Sequence, residues 1–250
     1  MKTFAVGNQK GGVGKTTTAH NLAAGFAARG SRCLLIDLDS QSNLSTIAGA
    51  DQSGPGTYGL LTGTPAADLI QNVTDNLFII TGSALLVKRD FVPPQDTLFR
   101  ALAPIRGDFD ICIIDIPPAL GPLCINGLAA ADSLIIPTSA NVLGLESIKQ
   151  FYFGAISSVT TGESPVNPKL KISGILFNRV NSRRSLPKEA AKAAEPIAEM
   201  MHTEVFPVMI RDAADIETAQ VYRQSIFDYA PRSGAAADYN KLIDILEKEG

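Results

Sequence analysis

The most constraining feature of this chain is the run Gly7-Asn8-Gln9-Lys10-Gly11-Gly12-Val13-Gly14-Lys15-Thr16-Thr17-Thr18. Thr3 to Gly7 before it reads as a strand, and Gly14 to Arg29 after it reads as a helix that stops at Gly30. A glycine-rich turn in that context lets successive backbone N–H groups converge, and the helix N-terminus adds partial positive charge at the same point. The arrangement predicts a phosphate-binding loop. Lys10, Gly11, Gly12, Val13, Gly14, Lys15, Thr16 and Thr17 would form the cradle. Lys15 is placed to reach the β- and γ-phosphates, and Thr16 to offer a hydroxyl to Mg²⁺.

The strict form of the motif would put glycine where this chain has Gln9. The chain carries Lys10 and Gly11-Gly12 instead. On the outer lip of the loop, Lys10 can reach phosphates held by a second copy, so one nucleotide would be neutralised from both sides. Lys10 and Lys15 are therefore both expected to be catalytic.

Phosphoryl transfer also needs a metal and a group that positions water. Asp37-Leu38-Asp39 and Asp115 close two apolar strand patterns, and in a doubly wound sheet such ends converge on the ligand crevice. Asp115 is expected to hold Mg²⁺ through water, with Thr16, and Asp37 to stand in the outer shell of the metal. Asp39 is expected to orient the attacking water. Taken singly, each aspartate also suits a cap or a turn.

Strand and helix patterns alternate along all 250 residues. Further strands are expected at Arg32–Asp37, Asn76–Thr81, Phe109–Asp115, Ser133–Pro137, Lys171–Asn178 and Glu204–Met209. Helices are expected notably at Leu143–Val159, Ser185–His202 and Ala235–Lys248. Runs such as Ile111-Cys112-Ile113-Ile114 are continuously apolar, as strands covered on both faces are. The prediction is an α/β fold: a doubly wound, mostly parallel sheet of about 7–8 strands with helices on both faces, in a single domain over 1–250. Asp51 to Pro65 and Thr160 to Pro168 read as surface loops.

Composition narrows the function. Apolar residues are 45% and the net charge is −3, so no constitutive nucleic-acid binder is implied, and DNA contact would need a local basic patch. Basic residues gather late: Lys169, Lys171, Arg179, Arg183, Arg184, Lys188 and Lys192, then Arg211, Arg223 and Arg232. They are expected to line one side, with Arg183, Arg184 and Arg211 contributing most to DNA binding. Cys33, Cys112 and Cys124 have no zinc-ligand spacing and read as reduced core thiols. No signal peptide and no apolar run of membrane-spanning length is expected.

The segments Lys10 to Ala19, Leu34 to Ser45 and Phe109 to Pro118, with Ile210-Arg211, Glu217 and Asp228-Tyr229, resemble the ParA/MinD group of deviant Walker-type ATPases. The ParA/Soj partition ATPases are the most similar branch. The resemblance implies P-loop NTPase folding and a homodimer that sandwiches ATP and Mg²⁺. It implies ATPase activity that is weak alone and stimulated by a ParB-like partner, and sequence-independent DNA binding in the ATP state. It also implies a cytoplasmic, nucleoid-associated role in plasmid or chromosome partition. Asn178 and Pro207 lie where the family contacts adenine, though Asn178 also suits a cap or turn. Ser40, Ile116 and Ala214 depart from the family pattern, and no separate DNA-reading domain is expected.

A MinD-like membrane-surface regulator shares the loop, but the last helix pattern, with Asp244, Glu247 and Glu249, is acidic where an anchor is basic. An iron–sulfur reductase would need two suitable cysteines per subunit. A dethiobiotin-type synthetase would leave Lys10 without a role. A ParA-like positioner of a protein cargo shares every motif.

Overall fold

The apolar runs become strands because side chains alternate between two covered faces. In the second strand, Leu34 and Ile36 pack into one core while Cys33 and Leu35 pack into the other; Cys112 and Ile114 oppose Ile113 in the same way. The computed structural model describes residues 1–88, 90–181 and 186–248, and side chains 186–188 fall outside that description.

The strands are β1 (Lys2–Val6), β2 (Cys33–Asp37), β3 (Gln71–Thr74), β4 (Leu77–Ile80), β5 (Ile111–Asp115), β6 (Ser133–Ser139) and β7 (Lys171–Asn178). They form one sheet in the order β3-β4-β2-β5-β1-β6-β7. All pairs are parallel except β3–β4. The helices are α1 (Lys15–Ala28), α2 (Asn43–Ile47), α3 (Gly56–Leu61), α4 (Thr97–Leu102), α5 (Pro122–Ala130), α6 (Val142–Phe151), α7 (Ser157–Thr161), α8 (Leu186–Met200), α9 (Ala214–Val221), α10 (Ile226–Tyr229) and α11 (Gly234–Lys248). On one face α1 and α11 bury Leu22, Phe26, Leu242 and Leu246. On the other, α5 and α6 bury Leu128, Ile148 and Phe151. The doubly wound expectation holds, and the strand order reverses at β1, where ligand crevices of such sheets open.

Four expectations change. Glu204–Met209 is not a regular strand. It runs beside β7 and is pinned at both ends, by Phe206 N–H to Ile175 O and by Ile210 N–H to Phe177 O. Pro207 lies between these points and has no N–H to continue the ladder. The seventh strand is instead β3, a short edge strand joined to β4 through Asp75-Asn76. The Asp51–Pro65 excursion contains α3, entered through Gly56 at φ 52°. The long helix from Leu143 is interrupted by a π turn at Tyr152–Ile156 before α7.

Candidate nucleotide site

The loop glycines act through backbone conformation. Gly12 (φ 73°) and Gly14 (φ 88°) are left-handed, where a side chain is strained. Gly14 is also the N-cap of α1, and a Cβ there would lie 2.7 Å from Asn178 Nδ2. Asn8, fully buried, stitches the loop to the end of β6: its Nδ2 donates to Pro137 O (2.8 Å) and its Oδ1 accepts from Lys10 N–H (3.1 Å). Lys15 Nζ curls back under the loop and donates to Lys10 O at 2.9 Å. Burial pulls the Lys15 ammonium pKa down, while Asp115 and Asp39 oppose that shift.

Three successive threonines at the start of α1 are each held by a different element. Thr16 Oγ1 donates to Asp115 Oδ2 of β5 (2.7 Å). Thr17 Oγ1 accepts from Gln220 Nε2 of α9 (2.8 Å). Thr18 Oγ1 accepts from Asn178 Nδ2 of β7 (2.8 Å). The phosphate end of the site is thereby tied to strands and helices that meet only in the folded chain.

Asp115 is nearly inaccessible, and its second oxygen, Oδ1, is buried without a partner. Burial first, then the neighbouring Asp37, pushes its pKa up to about 8. A buried carboxylate oxygen with no donor beside a threonine hydroxyl is the environment a hard divalent cation satisfies, so these residues fit Mg²⁺. Asp37 behaves differently. It is fully buried, with Oδ1 accepting from Asp39 N–H (3.0 Å) and Oδ2 from Ser45 N–H (2.9 Å) and Ser45 Oγ (2.7 Å). It does not line the cleft. Both Asp37 oxygens are thus occupied by donors of the chain itself, whereas Asp115, which does not line the cleft either, keeps one oxygen unpartnered. Asp37 fixes the start of α2 and the backbone of Asp39. Asp39 does line the cleft, and its Oδ1 is held by Gln41 N–H at 2.9 Å.

A cleft of about 510 Å³ runs from the loop to α9. Gly11, Gly12, Gly14, Lys15, Thr16, Thr17 and Asp39 line its phosphate end. Asn178, Arg179, Ile210, Asp212, Ile216, Glu217 and Gln220 line the other. Pro207 is not among the lining residues; Ile210 to Ala213, carried past it by the same segment, are. The sequence reading missed Arg179, Asp212, Ile216 and Gln220. Arg179 sits at φ 55° and bridges to Glu217 (3.0 Å) and Asp212 (3.8 Å). A polar residue just past a strand end at the crevice was the available signal.

Among the described residues, Lys171 and Arg179 stand at opposite ends of β7 and so do not share one side. Lys169 and Lys171 stand at the start of β7 and Arg179 past its end, about 26 Å from Lys171 along the strand. Arg211 lines the cleft and is held by Asp238, with Nε–Oδ2 at 2.7 Å and Nη2–Oδ1 at 2.9 Å. Arg183 and Arg184 lie outside the described residues. All three cysteines are buried and free, and burial pushes the Cys33 and Cys124 thiols up to about 12. Thiols so placed cannot meet across two subunits around a shared cluster. No helix among the described residues is long and apolar enough to cross a membrane.

A family profile described as an AAA domain matches residues 1–172. The chain is 34% identical to the chromosome-partitioning ATPase Soj of Treponema pallidum, covering all of this chain and 98% of that one. Among solved structures it is similar to apo McdA of Cyanothece (TM-score 0.85, 25% identity, 98% of this chain and 99% of that one). It is also similar to cobyrinic acid a,c-diamide synthase of Mycobacterium smegmatis with a bound ATP analogue and magnesium (TM-score 0.81, 27% identity, 99% and 94%).

Proposed function

The chain belongs to the ParA/Soj family of partition ATPases, and from that premise we infer that it is a dimerising switch driven by its nucleotide, binding DNA in its ATP state and releasing it on hydrolysis. Its cofactors are ATP and Mg²⁺. The observation that carries the reading is the loop edged by Lys10 and Lys15 directly above Thr16 and the orphaned Asp115 Oδ1.

In this reading the loop amides and Lys15 hold the phosphates, and Thr16 and Asp115 hold Mg²⁺. When bound, the metal neutralises charge developing on the phosphates. Asp39, exposed to the cleft and braced by Asp37 and Gln41, orients the water that attacks. Lys10 on the outer lip reaches the phosphates of a second copy. Val142 and Leu143, 74% and 70% exposed at the first turn of α6, border that lip and support a meeting of two copies there. Arg179 rests on Glu217 and Arg211 on Asp238, so neither stands at the phosphate end in this conformation. Turnover is accordingly slow until a partner protein of the ParB kind completes or closes the site.

DNA contact rests on Arg183 and Arg184, with Arg211 a lesser candidate because it is held by Asp238. Family membership supports the proposal that the chain acts in the cytoplasm, on the nucleoid, in plasmid or chromosome partition.

Turnover and size should be measured together, with Mg-ATP, with and without duplex DNA, across a salt series. The reading expects an ATP-dependent dimer whose DNA binding weakens steeply with salt and is lost in Arg183→Glu/Arg184→Glu. Asp39→Ala should accumulate as an ATP-bound dimer. Absence of any dimer with ATP, or normal turnover by Asp39→Ala, would overturn it. Binding of the ATP state to anionic vesicles in place of DNA would favour a MinD-like role.

A further inference from the structure

The side chain of Lys10 is not free in this conformation. Its Nζ donates to Ser139 Oγ at 3.2 Å and to Asn141 Oδ1 at 3.4 Å. Both acceptors belong to the turn between β6 and α6. Asn141 is the N-cap of α6, accepting from Gly144 N–H at 2.9 Å through the same oxygen, and Ser139 Oγ lies 3.3 Å from it. The backbone of Lys10 is tied to the same strand end, through Asn8 to Pro137 O. The outer lip of the loop is therefore laid along β6 and stapled to the cap of α6.

An ammonium engaged with two neutral oxygens of its own chain cannot also extend to a phosphate on a second copy. To do so it must give up these contacts, and Asn141 keeps its bond to Gly144 N–H whether or not Lys10 leaves. We propose that Ser139 and Asn141 form a latch that parks Lys10 in the monomer and sets how much ATP is needed before two copies close. This rests on the reading that Lys10 acts across the dimer. Ser139 and Asn141 do not line the cleft; they are positioning residues that act through Lys10.

The physical consequence has a sign. Weakening the latch lowers the ATP demand for dimerisation, and strengthening it raises the demand. Substitutions at Asn141 can separate the latch from the cap. Serine and aspartate are both good N-caps, so either keeps α6. Serine is too short to reach Lys10, whereas aspartate replaces a neutral acceptor by a charged one, roughly doubling the strength of the contact. Ser139→Ala removes the other acceptor together with the Ser139 Oγ donor to Asn141 Oδ1, and leaves the capping bond from Gly144 N–H to Asn141 in place.

The experiment is sedimentation velocity of the full chain titrated with a non-hydrolysable ATP analogue and Mg²⁺, with Lys10→Ala as reference and thermal melts as a folding check. Ser139→Ala and Asn141→Ser should each lower the analogue concentration at half-dimerisation by about threefold, and Asn141→Asp should raise it about tenfold. Lys10→Ala should form no dimer in any background. If Lys10→Ala lacks the dimer but Asn141→Ser and Asn141→Asp shift the midpoint together or not at all, the latch is wrong while the role of Lys10 stands. An unshifted midpoint in Ser139→Ala counts against it in the same way, should Asn141→Asp fail to fold. A normal dimer in Lys10→Ala overturns both.

Discussion

The two ends of the cleft are built on opposite principles. The phosphate end is a backbone-made cradle over buried charges, with left-handed glycines, a lysine under the loop and a carboxylate whose free oxygen has no partner. The far end is made of side chains from β7, α9 and the segment between them, and its charges sit in solvent: Arg179, Asp212 and Glu217 have side chains 58%, 59% and 70% exposed. Backbone amides and buried charges are fixed and strongly felt. Solvated ion pairs are adjustable and weakly felt. The contrast suits a switch that must always grip the phosphates yet let its outer elements move.

Removing the Lys15 ammonium tests the strong end most directly. Lys15→Ala should cost about 3 kcal/mol of ATP binding, about a hundredfold in Kd by calorimetry. A loss under tenfold would erase the contrast. Gly14→Ala comes next. Its left-handed φ and the approach of a Cβ to Asn178 Nδ2 should weaken ATP binding about tenfold and lower the melting temperature, by at least the ~1 kcal/mol of a strained φ.

The metal site supplies a pH test. With a pKa of about 8, the Asp115 carboxyl holds a proton at neutral pH that Mg²⁺ has to displace. Mg²⁺ affinity in the presence of ATP should therefore rise between pH 6 and 8, by up to about tenfold per unit, and level off above. Asp115→Asn should bind Mg²⁺ weakly with no such slope. The raised pKa also means that the metal-free fold loses stability through this group as pH climbs from the ordinary carboxylate range towards 8. At the weak end, Arg179→Ala and Glu217→Gln should each change ATP affinity by less than about fivefold. A larger change, measured at low and high salt, would move the determinants of affinity to the solvated end.

Asp115 and Asp37 show where reading along the chain stops. Both close an apolar strand, and nothing local tells them apart. The fold does: Asp115 is left with an empty oxygen, while Ser45, eight residues past Asp37, occupies Asp37 from α2. The strand expected at Glu204–Met209 failed for a reason present in the sequence, since Pro207 breaks its ladder. The edge strand β3 was also legible after the fact, from Asp75-Asn76 between two β-prone segments.

By itself the sequence determined the alternation of strand and helix, six of the seven strands, the two-faced burial of the sheet and the phosphate loop. Those rest on short-range pattern: side-chain periodicity, glycine conformations and the spacing of a lysine and a threonine from a helix start. Only the tertiary structure decided which aspartate is left with a free oxygen, where Lys10 rests and what forms the far wall of the cleft. Thr17 meets Gln220 across 203 positions and Lys10 meets Asn141 across 131. Contacts at that separation depend on strand order and helix packing, which no local propensity encodes.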